Sequence, residues 1–499
     1  MTNFMDGWGA RVVSSGLGRR CRTLLPGLAG LLWLASAAGH AAPLAYLADR
    51  LQNDVSVVDL ANYATLATIS LGPAQALPVD VVASEASGKV FVVQASGLAI
   101  IDAATNAITG HVALAGIKAM AASPDGKKVY ALTPGAVAVI DAEAKSVLTT
   151  LAVDPSAVSL AASADGDSVY VAHTGFAPAS GALGAAGITV IDGVTHEIDN
   201  VVSTGDFQPE QLAVHPGDER LYMIGKVGLA ADNLAYRTLD PVTLALTRTA
   251  FALPPETPVV LGLSSLAFNP DGSRLYLGAN TLGVTTLPVL EINTATGTVA
   301  RVLSLPAGFA DEHTVLKLAT GLANGQFTLA AFVRQRLRSS AVEPGRRAVF
   351  MDAVNGTVLG DLNFASPGDR DVLSGDILDA APAPTQGKAA TRTGLQANAN
   401  PPLRPEIPVT FVATVQGNNP GGRVVFKFAT QQDGARLSQK VPVELQGGTA
   451  TLALAACSAA WDNLALQKIA CSPEFRVVAR FKGDAGNAKS RSEPLYERY

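Results

Sequence analysis

The chain has little of what most enzymes display. Its 499 residues contain no HExxH, GxSxG, GxxxxGK[ST] or CxxCH. Zincin, α/β-hydrolase, nucleotide and c-type haem chemistry therefore each lack the motif that carries them. Three cysteines, Cys21, Cys457 and Cys471, are too few for a disulfide scaffold or a four-cysteine zinc site. None falls between residues 43 and 389, which excludes thiol catalysis there. Lys and Arg number 37 against 42 Asp and Glu, and no polybasic tail exists, so the whole chain makes no case for nucleic acid. No motif calls for a metal or another cofactor, and no residue stands out as catalytic. Aromatic residues are scarce at 6%, but aliphatic residues are plentiful, and a chain this long suits two or three domains with sizeable cores.

Long apolar runs are also rare. The one of note spans residues 24–39, LLPGLAGLLWLASAAG, behind Arg19, Arg20 and Arg22. About fifteen mostly apolar residues ending in small ones read as a secretory signal over 1–41, with Gly39 and Ala41 ahead of the cleavage point, and not as a membrane span. Removal of that segment discards Cys21 and leaves a mature chain without a transmembrane anchor. The expected location is the periplasm or the cell surface. The remaining pair, Cys457 and Cys471, is most simply a disulfide in such a compartment.

What the sequence does have is repetition. An alternating apolar run ending in Asp or Asn recurs at Asp59, Asp102, Asp141, Asp192, Asp240, Asn293 and Asp352, at spacings of 39 to 59 residues. That is the period of a four-stranded propeller blade with growing loops. Each terminal carboxylate is placed to accept amides two residues on and so start a turn. A second signature, a Gly-containing turn followed by an aromatic-bearing strand, recurs in SEASGKVFVV (84–93), SPDGKKVYAL (123–132), SADGDSVYVA (163–172), HPGDERLYMI (215–224) and NPDGSRLYLG (269–278). A diverged copy is LANGQFTLA (322–330). Six such hairpins against seven Asp-type ends imply that the first blade, which begins at AYLAD (45–49), borrows its missing strand from DVLSGDILD (371–379). The fold class expected is all-β: a seven-bladed β-propeller over 42–380 with strand-exchange closure.

These repeats, best in SPDGKKVYAL with VAVID and in NPDGSRLYLG, resemble the YVTN-type β-propeller family, which includes lactonase-like enzymes, haem-carrying domains and periplasmic proteins. The resemblance covers roughly residues 44–380 and speaks to fold. Beyond a linker at 381–389, residues 390–499 alternate as short strands. VTFVATV (409–415), GGTATL (447–452) and FKGD (481–484) are similar to bacterial Ig-like repeat domains, and so imply a β-sandwich. Charge divides between the two parts. Residues 390–499 carry 13 Lys/Arg against 8 Asp/Glu, net +5, while 43–389 carry 20 against 33, net −13. The reading preferred here is that each sign keeps its own module soluble rather than docking the two together.

Propeller ligands usually sit over the central channel, on the face made by loops that enter the innermost strands and loops that join second to third strands. The second kind is long at 173–187, 225–235, 279–287 and 334–347, which skews the expected functional surface toward the later blades. Matching the innermost strands on their glycine turns places Asp80, Lys118, Val158, Glu210 and Ser264 at one position near the channel mouth. Asp311, Glu312 and His313 stand at the next entry. Of these, Asp80, Lys118, Glu210, Ser264, Glu312 and His313 are the candidate ligand-binding residues. Arg334, Arg336, Arg338, Arg346 and Arg347 form a basic loop suited to an anionic partner. Three readings compete. The preferred one is an exported envelope protein that binds a partner protein, a polysaccharide or a small molecule. The others are a lactonase-like hydrolase using the channel, and an accessory subunit of a periplasmic redox system.

Overall fold

The computed structural model describes residues 43–72, 77–177, 182–228, 230–232, 234–255, 260–282, 288–304, 312–323, 326–336, 346–364, 372–378, 391–398, 408–432, 435–460, 462–483, 487 and 490–498. The expected signal segment and the linker at 381–389 lie outside the described residues. The described residues are all-β apart from one short helix, Leu464–Ala470.

Four-stranded antiparallel sheets succeed one another along the first part. One holds Asp80–Ser84, Lys89–Gln94, Gly97–Asp102 and Ala107–Ala113, and the next runs from Ala119–Ala122 to Ser146–Ala152. Another spans Ala157–Ala162 to Ile198–Gly205, and the sheet from Phe207–Val214 to Leu246–Ala250 adds a fifth, two-residue strand, Ala230–Ala231, paired with Leu221–Val227. A larger sheet follows. In it, Val260–Phe268 to Thr298–Ser304 is joined to Glu312–Ala323 through Val358–Phe364 by pairing of Thr281 with His313 and Leu282 with Glu312. The expected loan of a strand is present as a pairing: Leu44–Asp49 lies between Asp54–Asp59 and Val372–Leu378, with Leu44 opposite Leu378 and Tyr46 opposite Asp376.

Burial explains the sequence pattern. Second and third strands are buried on both faces, as in Lys89–Gln94 and Gly97–Asp102, because neighbouring sheets cover each side, so they read as unbroken apolar runs. Fourth strands such as Ala107–Ala113 are mostly exposed and take threonine and alanine instead. Apolar clusters tie each sheet to the next, and one of them joins Ala45, Leu47 and Val58 of the first sheet to Phe332, Phe350 and Ile377 near the end of the array. The innermost strands likewise lie each beside the next. Val372–Leu378 neighbours Asp80–Ser84, and Glu312–Ala323 neighbours Val372–Leu378, which closes the series.

The two repeat signatures have the local roles their chemistry requires. All seven Asp or Asn ends accept an amide two residues on, at 2.7 to 3.1 Å. The recurrent tyrosine reaches across to the turn of the following sheet: Tyr46 Oη donates to Asn106 Oδ1 at 2.9 Å, Tyr130 Oη to the Gly193 carbonyl at 3.1 Å, and Tyr276 Oη to the Ala353 carbonyl at 3.3 Å. A buried tyrosine needs such a partner, and here the partner staples neighbouring sheets.

The C-terminal part is two antiparallel sheets over one core. Arg392–Ala397, Val409–Gln416 and Thr449–Leu454 face Ala435–Glu444, Arg423–Gln432 and Glu474–Phe481, with Phe411, Phe426, Phe428 and Phe475 packed between them. Cys457 and Cys471 are bonded, with Cα atoms 5.8 Å apart, and anchor the helix. Closing a loop of 14 residues stabilises the fold by about 3 kcal/mol.

Candidate functional site

The ladders correct one alignment. Traced from the Asp-ended strands, Asp80 stands in register with Ala119, Ser159, Gln211, Ser265, Lys317 and Ser374, one residue away from Lys118, Val158, Glu210 and Ser264. Gly88 is the fourth residue of its turn and Gly126 the third of its own, so matching the two glycines slips the first strand by one residue, and a one-residue slip changes the face. The other members of the expected row do share a position. Val158, Glu210 and Ser264 are each the extra residue of a β-bulge, a feature that re-aims side chains.

Asp80 belongs to a cluster that the sequence did not display. Lys317 Nζ donates to Asp80 Oδ1 at 2.9 Å, to the Val81 carbonyl at 2.6 Å and to Ser374 Oγ at 3.1 Å. Ser374 Oγ donates to Asp80 Oδ1 at 2.7 Å. Asp376, two residues on, accepts the Ala83 amide at 2.9 Å. Burial disfavours the charge on Lys317, but Asp80 and Asp376 outweigh it and hold the ammonium above the usual lysine range. Burial pushes the Asp376 carboxyl up. The cluster thus ties the borrowed strand to its two neighbours in the ring. All three Lys317 donors are occupied, and a lysine kept protonated is no base for the serine beside it.

The remaining sequence candidates are spread more widely. Lys118 is exposed just ahead of Ala119–Ala122. Glu210 pairs with Lys226 at 2.5 Å, and Ser264 Oγ donates to the Gly278 carbonyl at 3.3 Å. Glu312 and His313 begin their strand opposite Arg336 and Gln335, and Arg334 stands opposite Arg346. Arg338 and Asp311 lie outside the described residues. Arg347 is 8% exposed and bonded to Asp361 through two nitrogens, so its guanidinium is already engaged within the sheet. Among the described residues no group of three or more His, Cys, Asp or Glu is placed to hold a metal. No helix among them is long and apolar enough to cross a membrane.

Charge complementarity has a larger role than expected. The two parts are docked, against the reading that their opposite charges serve solubility alone. Lys427 Nζ, 2% exposed, contacts Asp192 at 2.6 Å and also Asp199, which are 0% and 1% exposed. Arg480 pairs with Asp167 at 3.0 Å and Asp192 at 3.1 Å. Lys482 contacts Asp165 and lies 2.8 Å from Glu219. Lys440 Nζ donates to the Pro241 carbonyl at 3.1 Å, and Asn200 Nδ2 to Ser438 Oγ at 3.0 Å. Burial opposes ionisation of Asp192, but Lys427 and Arg480 hold its carboxyl well below the usual range. Every acid here lies at or beside a glycine turn or an Asp turn of two adjacent sheets. The sandwich therefore covers their turn edges, opposite the long loops.

Lys440 supplies a pH test. Burial, then repulsion from Lys427, Lys482 and Arg480, pushes its pKa down to about 8, with Asp199 opposing. Between about 8 and the usual lysine value the unfolded chain binds the extra proton, so stability rises with pH across that window. The penalty is fully present below the window. Chemical-denaturation midpoints between roughly pH 7.5 and 9.5 should rise for the parent relative to Lys440→Met, which has no ammonium to lose. Parallel profiles for the two proteins would contradict the assignment.

No family model and no curated protein matches the chain. Solved structures do match. Kuenenia stuttgartiensis hydrazine synthase aligns with 59% of this chain and 97% of that one at 18% identity and a TM-score of 0.42. The β-propeller domain of Myceliophteria thermophila Cps50 (Swd1) aligns over 59% and 87% at 10% identity and 0.41. Dihydro-heme d1 dehydrogenase NirN in complex with DHE aligns over 68% and 75% at 12% identity and 0.40. The succession of antiparallel sheets is given by this chain's own strand pairing.

Proposed function

We propose that this chain is an exported, seven-bladed propeller of the YVTN type with a docked Ig-like sandwich, and that it serves the bacterial cell envelope as a binding protein. A ligand or partner is recognised on the loop face over the channel. The observation that carries this reading is the position of the sandwich. It occupies the turn edges around Asp165, Asp192 and Glu219, and leaves the opposite, long-loop edges as the accessible face. Binding is favoured over hydrolysis because Ser374, which meets Lys317 among the described innermost strands, donates to Asp80 and faces a protonated Lys317. That arrangement activates no nucleophile. The disulfide supports export.

The experiment is retention of the purified mature chain on isolated cell-wall polysaccharide. Deleting 176–186, which contains the small hairpin of Phe176–Ala177 with Ala182–Leu183, is expected to reduce retention at least about tenfold while shifting the melting temperature by no more than ~2 °C, since long loops on a scaffold carry binding more than stability. Retention unaltered by the deletion overturns the loop-face reading. Hydrolysis of a lactone panel that disappears in Glu210→Gln overturns the binding reading in favour of an enzyme.

A further inference from the structure

A cavity lies on the turn edge, beside the docked sandwich. It has a volume of about 360 Å³ and is bounded by the outer strands Ala235–Leu239 and Leu246–Ala250 and by the turn 294–297 of the next sheet. That size falls at the small end of ligand pockets and matches a molecule of one ring. Most such pockets are apolar. This one is lined by the six threonines 238, 243, 247, 249, 294 and 296 and by Tyr236.

Three features narrow the ligand. Hydroxyls donate and accept alike, so a wall built of them suits a molecule that carries hydroxyls around its rim. The charge at the mouth disfavours anions: Arg220 is shared between Asp218 at 3.8 Å and Asp240 at 3.9 Å, so two carboxylates face one guanidinium. The apolar contribution comes from Tyr222 and Tyr236, stacked with centroids 5.2 Å apart and only 4% and 3% exposed, which fixes their rings before anything binds. The far wall is rigid as well. Gly297, at φ +69°, bonds to the Asn293 carbonyl at 2.8 Å and presses so close to Thr249 that a Cβ would come within 2.8 Å of its methyl.

We infer that this cavity is a binding site for a neutral, polyhydroxylated ring, a single sugar unit. The Pro241 carbonyl, next to Asp240, is held by Lys440 of the sandwich, so the site lies at the edge of the docked module and on the opposite side from the loop face. It stands independently of the function proposed above.

The test is saturation-transfer NMR on the full mature chain with the methyl glycosides of glucose, galactose and mannose, and with inorganic phosphate as the anionic comparison. Transfer to the ring protons of at least one glycoside is expected, together with no competition by phosphate. Thr238→Val with Thr249→Val removes two hydroxyls while keeping shape, and should weaken binding about tenfold for each, the size of a lost hydrogen bond. Thr68→Val, on the outer strand Ala64–Ser70 of the first sheet, should change nothing. Deletion of 176–186 should leave glycoside binding intact, which separates this site from the loop face. Absence of transfer from all three glycosides, equal transfer in the double variant, or displacement by phosphate would each overturn the inference.

Discussion

Replacing Lys427 by alanine is expected to detach the sandwich from the propeller and to lower stability by about 3–5 kcal/mol, the cost of removing one partner from a buried ion pair. The size follows from what is left behind. Asp192 and Asp199 are 0% and 1% exposed, and without the ammonium between them two carboxylates face each other out of reach of water. Asp199 is already pushed up by burial; Asp192 is held down by Lys427 and by Arg480. Loss of Lys427 moves both pKa values upward and leaves Arg480 and Lys440 as cations acting on the pair. Two unfolding transitions in place of one, with new protease sensitivity between residues 379 and 391, are the expected readout. A second variant separates undocking from misfolding. Lys427→Met with Asp192→Asn and Asp199→Asn removes the charges together and should recover most of the loss. Asn at 192 keeps the oxygen that accepts the Val194 and Thr195 amides. A single transition in Lys427→Ala, within about 1 kcal/mol of the parent, would show that the charges contribute little to docking.

Those same residues mark where sequence reasoning reached and where it stopped. Asp192 was legible as a turn-starter because the amides it accepts lie two and three positions away. Its second role was not, because Lys427 is 235 residues distant and nothing local distinguishes Asp192 from Asp141. The charge split between the two parts was visible. Which edge of the sheets the acids occupy was visible too, yet only the fold shows that the sandwich faces that edge. Lys317 was missed for a related reason. Its strand, Glu312–Ala323, pairs as far as Ala323 with Gln326 in the diverged copy of the repeat, which hides its register with Asp80. Asp80 was found by matching the hairpin turns and was placed one step off by its glycine. The borrowed strand was legible because a count of hairpins against Asp ends is a global constraint, insensitive to local divergence.

That borrowed strand sets the other large expected effect. Gly375, opposite Leu47 in the pairing that joins Val372–Leu378 to Leu44–Asp49, has no room for a side chain. A Cβ there would lie 2.5 Å from Phe332 Cζ and 2.8 Å from the Tyr46 carbonyl oxygen. Phe332 is fully buried in the cluster that joins the first sheet to the end of the array, so its ring has no free direction in which to yield. The carbonyl is backbone and cannot move without opening the ladder. Gly375→Val is therefore expected to lower stability by about 3 kcal/mol, the upper end for overpacking a core. The loss should be concentrated at the closure: amide exchange across 44–49 should rise by orders of magnitude while the sandwich strands 409–416 stay protected, because an unpaired Leu44–Asp49 is a free edge. Adding Phe332→Leu should return part of the stability, by relieving the ring contact but not the carbonyl. Gly394→Ala, whose Cβ would meet nothing closer than 3.9 Å, is the control and should be close to neutral. Unchanged exchange at 44–49 in Gly375→Val would mean that the array does not depend on this strand to close, and the cluster of Lys317, Asp80 and Ser374 would lose its role as the clasp.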